Sequence, residues 1–360
     1  MILRQTSTSS ILERLTPEAQ HLLLLGEECT LDIPQLIQEC NQQGITIAGG
    51  IFPGVIHGEE HFTDGVIIKQ LPANSSIQLC QDLATMDKND LQLANAGTHS
   101  SIVLIDGLSK HITGFLENLF VSYWDSLKFI GGGCGSLSLK QQPCVFTNEG
   151  FFEDAAVVIL QERRVNLGVR HGWQKIAGPF VVNASGGNTV HEIDWRSAFE
   201  VYREVIRAHN NVTIDQDDFF NVAKGYPFGI FREGMEDIVR DPIITDGKSL
   251  TCVGDVPNNV VINILEGKPI KLIRGAGMAA HEALSAGADD VLVIDCISRS
   301  LFLENQFPEE LNSIQQVINT HNLPIPLEGV LSLGEISSYG DGYLEFFNKT
   351  IVVGAFHNHE

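Results

Sequence analysis

Ser101-Ile102-Val103-Leu104-Ile105-Asp106-Gly107 is a continuous apolar run closed by a charge and a glycine, and the chain carries such a run three times. Its counterparts are His21-Leu22-Leu23-Leu24-Leu25-Gly26 and Asp290-Val291-Leu292-Val293-Ile294-Asp295-Cys296. Runs of this length without polar alternation suit strands covered on both faces. Behind each comes a polar turn and then apolar residues at helical spacing: Ile33, Leu36, Ile37 and Cys40; Phe115, Leu116, Leu119 and Phe120; Leu311, Ile314, Val317 and Ile318. A short strand follows and breaks into glycines, as Ile45-Thr46-Ile47-Ala48-Gly49-Gly50, Phe129-Ile130-Gly131-Gly132-Gly133 and Pro326-Leu327-Glu328-Gly329. The shared order defines three degenerate copies of one supersecondary unit. The expected fold class is α/β of the mixed α+β kind: mixed sheets covered by helices, with three strand-helix-strand units entering glycine-rich turns. Those turns are expected to frame the functional site.

Between the second and third copies the pattern changes. Gly168-Val169-Arg170-His171-Gly172-Trp173 precedes an expected strand at Pro179-Phe180-Val181-Val182-Asn183 and a turn at Ser185-Gly186-Gly187-Asn188. Asp194 reads as the cap of a helix that buries Ala198, Phe199, Tyr202 and Ile206. Polar, unpatterned sequence near 207–218 places a boundary there, giving an N-terminal part of 1–210 and a C-terminal part of 211–360. Beyond it, Leu250 to Val256 and Val260 to Leu265 read as an antiparallel pair, followed by a helix from Met278 to Ala286.

Composition excludes several classes. The chain has 360 residues, 43% of them hydrophobic, which is enough for a large core and about two domains. No run of 18 apolar residues offers a membrane span, and Leu22 to Leu25 is too short for a signal-peptide core. A net charge of −22 repels phosphate backbones and anionic lipid, so neither nucleic acid nor membrane is an expected partner. Seven scattered cysteines form no Cys-x-x-Cys pair, which indicates reduced thiols in a cytoplasm rather than a disulfide framework or a zinc site. No cofactor is expected. The terminal His357-Asn358-His359 reads as a frayed tail.

The motifs resemble those of the FIST family, a two-part sensory module of bacterial signal-transduction proteins and some F-box proteins. The N-terminal part is carried by Gly131-Gly132-Gly133-Cys134-Gly135, Asn148-Glu149-Gly150 and His171-Gly172-Trp173. The C-terminal part is carried by Tyr226-Pro227-Phe228-Gly229, Val239-Arg240-Asp241-Pro242, Asp295-Cys296-Ile297-Ser298-Arg299, Gly334-Glu335-Ile336 and Asn348-Lys349-Thr350-Ile351-Val352-Val353. The resemblance implies a small-ligand sensor, with an amino acid or similar metabolite as candidate ligand, and no established reaction. Two departures bear on ligand choice: Cys134 stands where a small residue such as alanine is usual, and Gly50-Ile51-Phe52-Pro53-Gly54 replaces a more polar turn. With no kinase, cyclase or F-box segment, the output is expected to pass to a separate signalling protein.

The candidate ligand-binding residues are Gly132, Gly133, Cys134, Arg170, His171, Trp173, Cys296, Arg299, Gly334 and Glu335. The Gly131 to Gly135 loop offers backbone N–H groups to an anion, or else serves close packing. The alternating Ser136-Leu137-Ser138-Leu139 behind it reads as a strand, not the helix start that a nucleotide fingerprint needs. Cys296 ends a buried strand, with Arg299 three residues on as a clamp for a carboxylate. Glu335 follows a glycine turn and is the candidate partner of a ligand ammonium, so that Arg299 and Glu335 in one pocket would hold both ends of an amino acid. His171 and Trp173 read as packing at the domain junction or as ligand contacts. The leading function is a non-enzymatic sensor; the alternatives are an enzyme with Cys296 as nucleophile, aided by His171 or His281, and a protein-interaction scaffold.

Overall fold

The computed structural model describes residues 2–4, 7–91, 97–123, 127–321, 323–339 and 343–357. Asn358 and His359 of the expected tail lie outside them. Each of the three apolar runs is a lead strand, at Gln20–Gly26, Ser100–Asp106 and Asp290–Cys296. Helices Ile33–Gln43, Ile112–Tyr123 and the pair Ile297–Leu303 and Phe307–Thr320 carry the chain to return strands Thr46–Phe52, Lys128–Cys134 and Glu328–Ser332. Every return strand pairs parallel with its own lead strand. A hairpin and a closing strand complete each unit. The closing strands are Gly65–Gln70, Ala156–Gln161 and Ile351–His357, and each pairs antiparallel with its lead strand.

The hairpins do not stay at home. Gly54–His57 with Glu60–Phe62, from the first unit, extends the third unit's sheet beside Glu328–Ser332. Val145–Thr147 with Gly150–Phe152, from the second, extends the first beside Thr46–Phe52. Glu335–Tyr339 with Tyr343–Phe347, from the third, extends the second beside Lys128–Cys134. Flanking strands Ile2–Arg4, Ser76–Cys80 and Arg164–Arg170 edge the closing strands, giving three six-stranded sheets with one strand order and a cyclic exchange of hairpins. Leu22, Ile102 and Leu292, the third residues of the lead strands, line one cavity of only about 10 Å³, so the sheets meet around a filled axis.

The glycines recur because the parallel pairs are too close for a side chain at one register. Gly49 opposes Leu23, Gly131 opposes Val103 and Gly329 opposes Val293. A Cβ at these glycines would stand 2.2, 1.8 and 2.1 Å from the opposing carbonyl oxygen. At the base of the axis, Lys69 from the first unit reaches Asp290 at 2.7 Å and Glu328 at 3.0 Å in the third, and Arg163 adds to Asp290 at 3.4 Å.

Between the flanking strand Arg164–Arg170 and helix Pro269–Ala283 is an inserted seven-stranded antiparallel sheet with helix Ala198–Asn210 packed on it. Strands from both sides of residue 210 share sheets, since Arg164–Arg170 pairs with Ile351–His357 and Gly54–His57 with Glu328–Ser332.

Three local expectations are corrected. Ser136 to Leu139 is not a strand: Leu139 is at φ +51°, Ser136 and Ser138 bond each other, and Leu137 N–H reaches Glu27, so the segment loops over the strand ends. Leu250–Val253 and Val261–Glu266 do not pair, because residues 254–260 cross the Gly186-Gly187 turn, where Val256 N–H bonds the Gly187 carbonyl. Asp194 caps no helix. It shares with Trp195 a two-residue hairpin turn at φ +48° and +62°, and Ser197 precedes the helix that buries Ala198, Phe199, Tyr202 and Ile206.

Candidate functional site

The third lead strand ends in Asp295-Cys296 and its helix starts at once, which sets Arg299 one turn back over Asp295, Nε to Oδ1 3.3 Å. Helix Phe307–Thr320 delivers Glu310, whose carboxylate accepts from Arg299 Nε at 3.0 Å and from an amino group at 2.6 Å. The other N–H groups go to the carbonyls of His171 (2.6 Å), Lys349 (3.1 Å) and Leu272 (3.2 Å). All five donors of this fully buried guanidinium are thus taken by the protein, and none is left for a ligand carboxylate. Glu310 occupies the place the sequence reading gave to the ligand.

Glu335 lies beside this network. Its carboxylate accepts from the Ser332 hydroxyl (2.8 Å) and the Thr350 N–H (3.2 Å), and it meets the Cys296 thiol. Burial pushes the Glu335 carboxyl up to about 8, against the pull of Ser332, Cys296, Thr350 and Arg299. Burial, then the Glu335 carboxylate, hold the Cys296 thiol well above its ordinary range, so it is kept protonated, the opposite of an activated nucleophile. Burial and Glu310 likewise push Asp295 up.

Gly132 pairs in register with Glu335, and Gly133 N–H bonds the Gly334 carbonyl at 2.8 Å. A Cβ on Gly132 would lie 2.8 Å from Ile294, and one on Gly334, at φ +123°, 2.2 Å from the Phe346 ring. These glycines let the second and third sheets touch.

His171 and Trp173 leave the third flanking strand toward the inserted sheet. His171 N–H donates to Glu236 at 2.9 Å and its Nδ1 accepts from Trp173 N–H at 2.9 Å, while burial lowers its pKa and favours the neutral ring. Trp173 Nε1 donates to the Lys349 carbonyl at 3.0 Å. Lys349, fully buried, stands 4.9 Å over the Trp173 ring and pairs with Asp241 at 3.0 Å, which also accepts from Ser298 at 3.2 Å. The structure therefore joins Gly132, Gly133, His171, Trp173, Cys296, Arg299, Gly334 and Glu335 in one buried polar junction. Cys134 stands apart from it, against Gly50 and beside Cys144 and Asp106, with its thiol raised by burial.

Arg170, the remaining candidate, faces outward. It lines a cleft of about 600 Å³ with Lys128, Asn166, Glu282, Ser285, Ser338 and the apolar Val165, Leu167, Val169 and Ala286. Its guanidinium pairs with Glu282 and stands 3.8 Å from Glu236, the residue that also holds His171. Its Nε is buried without a hydrogen-bond partner among the described residues.

A family model of the FIST N domain matches residues 6–196, and one of the FIST C domain matches residues 198–338. The chain belongs to the FIST family. FIST domains are sensory domains of signal transduction. No curated protein matches this FIST chain. Among its described residues no helix is long and apolar enough to cross a membrane, and no group of three or more His, Cys, Asp or Glu is placed to hold a metal ion.

The sequence reading missed Lys349, Asp241 and Glu310 as members of the junction, and Lys128 and Glu282 as walls of the cleft. Asp295 four residues before Arg299 was a readable pair. Lys349 stands in a motif that carries the family resemblance, and nothing local shows that the inserted sheet closes over it.

Proposed function

We propose that this FIST chain is a non-enzymatic sensor of a small zwitterion, an amino acid or similar metabolite, bound in the cleft lined by the third flanking strand, by Lys128 and Ser338 of the second sheet and by Glu282, Ser285 and Ala286. The supporting observation is that one cleft of about 600 Å³, within the range of small-molecule sites, presents Lys128 and Arg170 for a carboxylate and Glu282 for an ammonium. The complementary ends expected at Arg299 and Glu335 are in this reading supplied one layer further out. A ligand carboxylate displaces Glu282 from Arg170. Arg170 then shifts relative to Glu236, which holds His171, whose carbonyl is a partner of Arg299. The candidate residues of the buried junction act as the relay, and the parts 1–210 and 211–360 respond as one body. The signal passes to a separate protein in the cytoplasm, a reducing setting that suits seven free cysteines.

Titration calorimetry across the amino acids tests this. One chemical class is expected to bind, with affinity falling at least about tenfold in Arg170→Ala, a loss of the size of one charge-assisted contact. Glu282→Gln is expected to weaken amino acids but not the corresponding deaminated acids. Absence of binding by every zwitterion would remove the proposal. A second reading, an interaction scaffold, is favoured by one observation: the glycine turns of the second and third units are packed against each other, Gly133 N–H bonding the Gly334 carbonyl at 2.8 Å.

A further inference from the structure

Asp194 and Trp195 form the tip of the hairpin Thr189–Ile193 and Arg196–Ser197, both in left-handed conformation. Such two-residue turns favour Asn-Gly or Asp-Gly, because a side chain at the second position crowds its own backbone. Here the second position is a tryptophan, 81% exposed. The turn is held by other groups: Asp194 N–H to the Val181 carbonyl (2.9 Å), Val181 N–H to Asp194 Oδ1 (2.9 Å), and Trp195 N–H to Asn183 Oδ1 (2.7 Å). The indole takes part in none of these bonds, so folding does not ask for it. A strained and exposed aromatic points to a use outside the fold.

The neighbouring strands extend the feature. Val181, 39% exposed, is opposite Val261, and Phe231, 50% exposed, bonds the Val261 carbonyl from the other side. Directly opposed residues share a sheet face, and the next residues along, Ile262 and Ile230, are buried on the other face. An outward apolar row thus runs from the Trp195 turn across Val181 and Val261 to Phe231. Its rim is acidic. Glu192, Asp194 and Glu233 are exposed, and the two arginines beside the row are paired, Arg196 with Glu200 at 3.1 Å and Glu204 at 2.8 Å and Arg232 with Glu345 at 2.9 Å.

We propose that this row is the docking surface for the protein that receives the signal, and that the receiver's docking face is basic around an apolar pocket that takes Trp195. Charge chooses the occupant: a second copy of this chain would bring the same acidic rim and a net charge of −22 against itself, whereas a lysine- and arginine-ringed face is complementary. The proposal rests on the sensor reading for the existence of a receiver, but its failure is separable, because amino-acid calorimetry at the cleft does not involve Trp195.

The test uses the full chain with a photoreactive phenylalanine at position 195, and at exposed Val121 as control, in the cells that make it. The receiver cross-linked from 195 and not from 121 is purified, and its affinity measured. Trp195→Gly and Phe231→Ser are each expected to weaken it by about 30-fold or more, the scale of an interface hot spot. Raising salt is expected to weaken it further, and Trp195→Gly is expected to melt no lower than the parent because glycine relieves the turn. Cross-linking of the chain only to itself, unchanged affinity in both variants, or a lower melting temperature in Trp195→Gly would each overturn the proposal.

Discussion

Glu335 holds its proton to about 8 because burial withholds the solvation a carboxylate needs, more than Ser332, Cys296, Thr350 and Arg299 restore. The sign of the resulting pH dependence follows. The unfolded chain releases this proton near 4.3, so between there and 8 the native state binds a proton that the unfolded state has lost, and stability falls as pH rises. Glu335→Gln removes the titration while keeping an acceptor for Ser332 or Thr350. Urea unfolding at pH 5.5 and pH 8 is expected to show the parent losing on the order of 3 kcal/mol relative to the variant across that window. A constant difference would mean that Glu335 is ionised throughout. The neighbouring Arg299 shows how far position alone reaches: its place after a buried strand marked it as important, but whether its donors face a ligand or Glu310 depended on a helix eleven residues further on.

The parallel strand pair with one obligatory glycine is the element that the chain repeats. A methyl group on Gly131 would enter the Val103 carbonyl oxygen at 1.8 Å, and both partners are main chain, so nothing can rotate away. Gly131→Ala is expected to destabilise by at least the roughly 3 kcal/mol at the upper end of ordinary overpacking, with Gly49→Ala and Gly329→Ala alike. Gly44→Ala is the control, since its Cβ would meet nothing within 4 Å and only its φ of +67° costs, about 1 kcal/mol. Thermal melts of the four variants decide it; four equal shifts would refute the close-approach argument. The glycine strings were legible in the sequence as punctuation. That two of the expected ligand contacts, Gly132 and Gly133, instead let one sheet touch another was not, because the neighbours that crowd them, Ile294 and Leu333, come from the third unit.

Cyclic exchange of hairpins makes the molecule one cooperative body, since no unit completes its sheet alone. Residues 1–210 and 211–360 expressed apart are therefore each expected to lack the far-ultraviolet and near-ultraviolet circular dichroism of the intact chain and to regain it only when produced together. Two independently folded halves would contradict this. The sequence by itself determined the three strand-helix-strand units, because hydrophobic period and glycine breaks are local and each copy states them again. It also marked Cys296, Arg299 and Glu335, since a polar group closing an apolar strand is visible in one dimension. Only the tertiary structure decided which sheet each hairpin joins, that Lys349 and Asp241 seal the junction, and that Lys128, Arg170 and Glu282 face one cleft. Those outcomes depend on contacts between residues far apart in the chain, where register and burial are set by packing and leave no local pattern.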